Sequence, residues 1–482
     1  MLDLRPVLYI NGLILAVLGV GMTVPALIDY SFANPDWQVF MAASATSLFV
    51  AGALIFANRG AYDRLTTRQA FILTVSAWLI LPTFGALPFA YSALQVDYAG
   101  AYFEAMSGLT TTGATVLVGL DTAPPGILMW RAILNWLGGV GIIAMAIAVL
   151  PMLQIAGYQL FRMESSDNSE KIVPRVSQLA GIILMVYVGI TIVCIIAYDA
   201  SGMTFFEAVA HAFATVATGG FSTSDASFGH FNSPLLDFWA TLFMALSALP
   251  YTLYFQAIRG RPLSLIKDDQ VRLFFMVLAG LIGIASLWLV LFKDYAPLTA
   301  LRYASFNLVS VVTTTGFVST DYQTWGAFAA GLFFFATFLG GCSGSSTGAI
   351  KMFRFRVLFS MAYAQARKLL QPSSVLPARY NGRPVPTTVM GSVASFFFLY
   401  VVVFLIFTIA CLATGVDLIT AASGVAQAMG NVGPGLGDII GPAGNCQSLP
   451  ASTKWLFSLA MLVGRLELLT VLVLFTPGFW RG

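Results

Sequence analysis

The chain has 482 residues, of which 58% are hydrophobic and 9% charged. A soluble domain carries about 25% charged residues, so this supply cannot cover a water-facing surface and the chain reads as a polytopic membrane protein. Twenty-four Lys and Arg against 21 Asp and Glu leave a net charge of +3, too near balance for a nucleic-acid binder.

In chain order, the apolar run at 7–28 follows Arg5 and is longer than a signal-peptide core, so it reads as a retained span. Further stretches of crossing length lie at 37–57, 69–91, 127–150, 178–198, 235–257, 273–292, 326–360, 388–413 and 455–476, the eighth of the ten broken by a Gly/Ser run. Four half-apolar stretches, 98–112, 204–218, 299–314 and 418–431, are too short to cross and are expected to re-enter. Arg5, Arg481 and the loops around 59–68, 162–175, 259–272 and 351–383 hold 19 of the 24 basic residues. That bias predicts cytoplasmic termini and short stretches that all enter from outside.

Other chemistry is scarce. Cys194 and Cys411 lie in apolar runs, Cys342 in the Gly/Ser cluster and Cys446 in a polar loop, with no metal or redox spacing. His211 and His230 are too few for a histidine metal site, and no phosphate loop occurs. An integral-membrane enzyme needs clustered acids, histidines or a nucleophile with its base. No such constellation is present, and the chain is not expected to be an enzyme or to carry an organic cofactor.

The re-entrant stretches end in related sequences: Thr-Thr-Thr-Gly at 110–113, Ala-Thr-Gly-Gly-Phe at 217–221, Thr-Thr-Thr-Gly-Phe at 313–317 and Gly-Asn-Val-Gly-Pro at 430–434. Aligned on Gly113, Gly220, Gly316 and Gly433, they recur at intervals of 107, 96 and 117 residues, and Asp225, Asp321 and Asp438 each follow five residues later. A period of this kind signals a repeat architecture. The fold class predicted is all-α: four tandem helix–pore-loop–helix repeats around a single pore, preceded by two extra N-terminal transmembrane helices. The units run 1–62, 63–162, 163–262, 263–370 and 371–482.

An ion leaving water needs its hydration shell replaced, which rings of backbone carbonyls achieve for potassium; potassium-channel loops are the general example. Glycine lets successive carbonyls face an axis without a Cβ clash. Threonine adds hydroxyl oxygens, helix C-termini favour a cation, and acids at the mouth concentrate one. A lone Thr-Thr-Gly is more often a helix end or packing contact. Four copies on one face are not explained that way. The filter set is Thr111, Thr112 and Gly113; Thr218, Gly219 and Gly220; Thr314, Thr315 and Gly316; and Asn431, Val432 and Gly433.

Within the eighth span, Gly340, Gly341, Cys342, Ser343, Gly344, Ser345, Ser346, Thr347 and Gly348 make a poor mid-helix, each glycine costing roughly 1 kcal/mol against alanine. Unwound backbone at this depth is expected only where protein or a water-filled cavity satisfies it. A kink for close packing is the plain alternative, but nine small or polar residues exceed its needs, so a mobile obstruction below the filter is favoured. Arg465 stands in the apolar last span with Glu467 two residues on, on different helix faces. A buried arginine faces a cavity or pairs with an acid elsewhere, and both readings stay open. Nine residues before the aligned glycines come Glu104, His211, Asn307 and Gly424, read as braces behind the filter; Asn135 and Gln256 read as packing amides.

These residues resemble the bacterial TrkH/TrkG/KtrB superfamily of potassium-uptake subunits, related to fungal and plant potassium transporters; the two added N-terminal spans are similar to the TrkH/TrkG branch. The resemblance spans the whole chain and implies one filter glycine per turn, at Gly113, Gly220, Gly316 and Gly433. It implies potassium as the ion, since a serine in the first turn goes with relaxed sodium discrimination. The fourth turn departs from the pattern, with Val432 and Pro434 where Thr315 and Phe317 sit in the third. The resemblance further implies an intramembrane loop gate, with Arg465 as a barrier or latch beside it. It also implies a bacterial inner-membrane location, a homodimer with one pore per protomer, and a cytosolic ring of TrkA-type nucleotide-binding subunits. The basic loop at 351–386 has no acid, and reads either as contact with anionic lipid of the bilayer or as the docking site for that ring. A proton- or sodium-coupled potassium or sodium symporter is the alternative function, although carriers with broken helices favour inverted repeats and these four run in parallel.

Overall fold

A computed structural model describes residues 2–60, 65–148, 176–371 and 377–481. Each repeat opens with a long apolar outer helix: Thr67–Gly85, Val176–Ala200, Asp269–Phe292 and Thr387–Leu412. The 26 residues of the last span about 39 Å, more than the ~30 Å of a bilayer core. Their starts are marked in the sequence. Thr66 and Gln69 form a reciprocal capping box, and Asp268 accepts from the N–H groups of Gln270 and Val271. Phe398, Val401, Leu405 and Ile409 are all exposed and share one helical stripe, the face that meets lipid chains.

The short helices follow at Tyr98–Leu109, Phe205–Val216, Pro297–Val312 and Leu418–Gly430. Thr204 with Glu207 and Asp417 cap the second and fourth, and Pro297 opens the third. Their C-terminal ends are buried: in the first, every residue from Gly100 to Leu109 is buried, whereas Phe205, Leu298, Leu301, Leu418 and Ile419 leave the starts of the other three exposed. The short helices therefore form the middle of the molecule, with the outer helices around them.

The inner helices differ from one another. In repeat 1, Pro125–Ala148 runs unbroken. In repeat 2, Pro234–Ser247 and Tyr251–Ile258 meet at 92°. Pro250 stands at that break, where it cannot donate to a continuing helix. In repeat 3, Ala327–Ala336 is separated by the Gly/Ser run from Met352–Leu370. In repeat 4, Ala451–Arg465 and Leu469–Phe475 meet at 104°, with Glu467 and Leu468 in the left-handed region at φ +58° and +48°. The sequence predicts ten crossings. Among the described residues, seven continuous helices and the two bent pairs meet the length and apolarity a crossing needs, while the broken 326–360 stretch contributes only the short apolar helix Ala327–Ala336 to that count. The sharp turns inside 235–257 and 455–476 depart from the expectation of plain spans.

Two further helices, Arg5–Ser31 and Trp37–Ala57, clasp repeat 1. Asn11 donates to Ser76 (2.8 Å), Asp29 accepts from Gly126 N (2.7 Å), and Asp36 accepts from Ala93 N (3.2 Å). The chain is thus an all-α polytopic membrane protein of four tandem repeats around a single pore, with two helices ahead of them. The boundaries expected at 62 and 162, with Arg64, Arg162, Lys171 and Arg175, lie outside the described residues. Those at 262 and 370 fall just before Ser264–Lys267 and at the end of Met352–Leu370.

Candidate functional site

All four short helices end in the same hydrogen bond. The N–H one residue before the aligned glycine reaches back to the carbonyl six before it: Thr112 to Ser107, Gly219 to Ala214, Thr315 to Ser310 and Val432 to Gln427, at 2.8–2.9 Å. The preceding residue takes a left-handed φ in every copy, +52° at Thr111, +53° at Thr218, +57° at Thr314 and +53° at Asn431. The glycine does so as well, at +83° for Gly113, +69° for Gly220, +85° for Gly316 and +109° for Gly433. For a β-branched threonine this backbone costs about 1–3 kcal/mol and persists only where surroundings over-determine it.

The four turns close a ring. A Cβ placed on Gly113 would lie 2.5 Å from the Gly219 carbonyl oxygen, one on Gly220 would lie 2.0 Å from that of Thr315, and one on Gly316 2.0 Å from that of Val432. One on Gly433 would lie 2.8 Å from the oxygen of Thr112, which returns to the first turn. Among the described residues, none of these four carbonyls accepts a hydrogen bond. Thr112 Oγ1 pairs with Thr110 Oγ1 and Thr315 Oγ1 with Thr313 Oγ1, both at 2.8 Å, and Asn431 Nδ2 donates to Thr112 Oγ1 at 3.0 Å. The fourth turn lacks the hydroxyl yet keeps the backbone geometry, so the departure at Val432 changes side chains only.

The position nine residues before each glycine braces the outgoing strand. Glu104 accepts from Thr115 Oγ1 (3.0 Å) and Val116 N (2.9 Å), His211 Nε2 meets Ser222 Oγ (3.0 Å), and Asn307 pairs with the backbone and side chain of Ser319. In repeat 4 the task moves one residue earlier, to Ser423, which accepts from Leu436 N (2.9 Å). The Phe457 ring fills the space a side chain on Gly424 would need.

Directly under the ring lies the Gly/Ser run. Leu339 bridges Ile350, and Gly340 N and Met352 N bond the carbonyls of Ile350 and Gly341, both at 2.9 Å, so the segment leaves and returns as a loop. Gly348 N donates to Thr314 Oγ1 (2.8 Å), Thr218 Oγ1 to Ser346 Oγ (3.2 Å), and a Cβ on Gly348 would meet the Gly430 carbonyl at 2.4 Å. The loop thus touches the second, third and fourth turns. Thr111 Oγ1 of the first has no partner among the described residues. Ser345 and Thr347 bond each other (2.8 Å). From the side, Cys342 N reaches Ala248 O (2.9 Å), Gly344 O accepts from Tyr251 N (3.0 Å), and Ser343 N reaches Gln270 Oε1 (2.9 Å). The first two use backbone groups freed where the repeat 2 helix bends.

Arg465 Nη1 donates to Ser346 O at 2.9 Å, and its Nε and Nη2 have no partner among the described residues. Among the described residues, no acid pairs with it. Glu467 turns away to Lys351 (3.3 Å) and Arg354, whose guanidinium lies 3.8 Å over Phe396.

Above the ring opens a vestibule of about 280 Å³ lined by the four glycines with Arg131, Asp225 and Asn445 among others. Asp225 accepts from Gly119 N (2.8 Å) and Leu120 N (3.2 Å), and Asp321 from Gln323 N (2.9 Å). The acids read as cation concentrators therefore also hold backbone at the mouth. Sequence reasoning missed Gln270 and Ser247, whose carbonyl accepts from Ser346 Oγ (3.3 Å), and gave Asn135 only packing. Asn135 lies against Gly219 with its amide unpaired among the described residues. A polar side chain in an apolar inner helix was its only signal.

Unpaired carbonyls, hydroxyls and four helix C-termini at one constriction suit a partly dehydrated cation and repel an anion. Fold and site together define a polytopic membrane protein in which four unequal repeats meet at one central constriction. The profile of the TrkH family, described as a cation transport protein, matches residues 36–480. The chain is 42% identical to the Trk system potassium uptake protein TrkI of Halomonas elongata, over 99% of this chain and 97% of that one. It is 37% identical to the Trk system potassium uptake protein TrkH of Escherichia coli K12, over 99% of each. The crystal structure of the potassium transporter TrkH from Vibrio parahaemolyticus superposes with a TM-score of 0.92 at 36% identity, over 100% of both chains. The chain belongs to the TrkH family.

Proposed function

We propose that this chain is the channel-like, potassium-selective uptake subunit of a Trk system in the bacterial inner membrane. Potassium is the cargo, held in passage by the carbonyls of Thr112, Gly219, Thr315 and Val432 with the hydroxyls and backbone around them. The observation that carries this reading is the closed ring of four left-handed turns whose carbonyls accept from no donor among the described residues. Such an oxygen buried without a donor is costly, and a dehydrated cation relieves the cost. The Gly340–Gly348 loop is the gate and Arg465 its latch, supported by the hydrogen bonds that seat the loop against three turns.

The termini are cytoplasmic, by the distribution of basic residues. The basic helix Met352–Leu370, with Arg367 and Lys368 exposed in its last turn, is the face for a cytosolic TrkA-type nucleotide-binding ring, and the assembly is a homodimer, as the family resemblance implies. The reading is tested by potassium and sodium flux into liposomes with and without a proton gradient. Potassium flux driven by its own gradient and indifferent to the proton gradient is expected. Flux that requires a proton or sodium gradient would establish the coupled symporter instead.

A further inference from the structure

Each contact between neighbouring turns has a brace behind it on the outer side, and one brace is unlike the rest. Behind the second and third turns, Gly229 N bonds Val318 O (3.1 Å), Val318 N bonds Ser227 Oγ (3.2 Å), and Phe228 packs 4.6 Å from Phe317. Behind the third and fourth, Gln323 Oε1 accepts from Gly437 N (2.6 Å). Behind the fourth and first, Cys446 N bonds Thr115 O (2.8 Å). These are neutral. Behind the first and second stands an ion pair, Arg131 Nε to Glu104 Oε1 at 2.8 Å, with side chains 2% and 0% exposed.

The pair reaches both turns. Glu104 holds residues 115 and 116, just past Gly113. Arg131 Nη1 donates to Ser222 O at 2.6 Å, two residues past Gly220, and its guanidinium lies 4.2 Å over the ring of Phe221. Arg131 also lines the vestibule, where a lone positive charge would repel the cations it must admit.

We infer that the buried Glu104–Arg131 pair is a positioning device for cation discrimination: it sets the spacing of the first and second turns and cancels the arginine's charge at the mouth. The inference rests on the cation-path reading above. It needs the guanidinium fork, because Nε and Nη1 serve two acceptors in different repeats, and a lysine supplies the charge without that geometry. Spacing and charge give separate readouts.

The full chain in liposomes tests both, by potassium and sodium flux at low and high ionic strength, normalised to folded protein. Arg131→Lys is expected to lower the potassium-over-sodium ratio roughly tenfold, a discrimination set by differential binding. Glu104→Gln is expected to slow potassium flux most at low ionic strength, where an uncompensated charge is least screened. The double variant Glu104→Gln/Arg131→Met buries no lone charge, so it is the one expected to fold if the single variants do not. It should lose the ionic-strength dependence and keep the lowered ratio. A wild-type ratio in the double variant overturns the inference. Gly113→Ser, run beside it, separates the two claims: an unchanged ratio there sinks the cation path itself, whereas a changed ratio there with a normal double variant sinks only the role of the pair.

Discussion

The four aligned glycines are alike in sequence and backbone yet unequal in the room around them. A Cβ on Gly220 or Gly316 would come within 2.0 Å of a neighbouring carbonyl oxygen, against 2.5 Å at Gly113 and 2.8 Å at Gly433. All four contacts require backbone of a neighbouring turn to move, farthest at Gly220 and Gly316, and all four positions add the cost of a left-handed φ. Serine at Gly220 or Gly316 is therefore expected to abolish selective uptake, while serine at Gly113 or Gly433 leaves transport with weaker potassium-over-sodium discrimination. Permeability ratios across the four variants check the ranking, and equal effects would contradict it. Arg465 is the second residue whose surroundings decide its role. Its bond to Ser346 O is charge-assisted, a class that contributes about 1.5–3 kcal/mol. Arg465→Ala is expected to raise basal flux roughly tenfold through a less firmly held loop; a folded variant with wild-type basal flux would return the residue to packing. The turns were legible because Thr and Gly stand where the chemistry needs them. Asn135 was not, since nothing in an apolar helix tells which neighbour its amide faces.

Among the elements, the inner helices carry the asymmetry that a fourfold repeat otherwise lacks. The first is straight, and each of the other three breaks. The breaks serve one another: Ala248 O and Tyr251 N, left free at the bend in repeat 2, bond the loop of repeat 3, and the bend in repeat 4 brings Glu467 to Lys351 and Arg354 at the loop's exit. The loop itself was legible from its composition, because nine small or polar residues cannot hold a helix in an apolar span. The two bends were less so. Pro250 marks one, while the other falls in an apolar run and exists because Glu467 finds its cations in another repeat, a tertiary cause invisible to local pattern. Deleting residues 343–347 removes the bonds through Ser346 and Gly344 and leaves the ring's own cyclic contacts in place. Basal potassium flux is expected to become constitutive with discrimination largely kept. Closed-state flux unchanged by the deletion would show that the constriction below the ring lies elsewhere.

For the whole molecule, the ring has two unlike sides, and the distribution of basic residues predicts which of them faces the cytoplasm. Each short helix starts at one end of the bundle and stops at the ring, so its carbonyl end points inward and a cation meets the negative ends of four dipoles. The Gly/Ser loop lies on the far side of the ring from the vestibule that contains Asn445 and Cys446. The helix Met352–Leu370 and the hairpin Arg379–Tyr380/Arg383–Pro384 follow that loop, and they hold the densest cluster of basic residues, which favours the cytoplasmic side. On the proposed topology the loop and basic face are expected inside and the vestibule outside. The four cysteines are buried, so the native chain offers little background to a thiol reagent, which reacts as the accessible thiolate. Gln447 and Gln365 are exposed at the two ends. In intact cells, a membrane-impermeant maleimide is expected to label Gln447→Cys and spare Gln365→Cys, which reacts only after permeabilisation. The reverse pattern would place the basic face outside, with the Gly/Ser loop between the ring and the external solution, and would overturn the proposed topology.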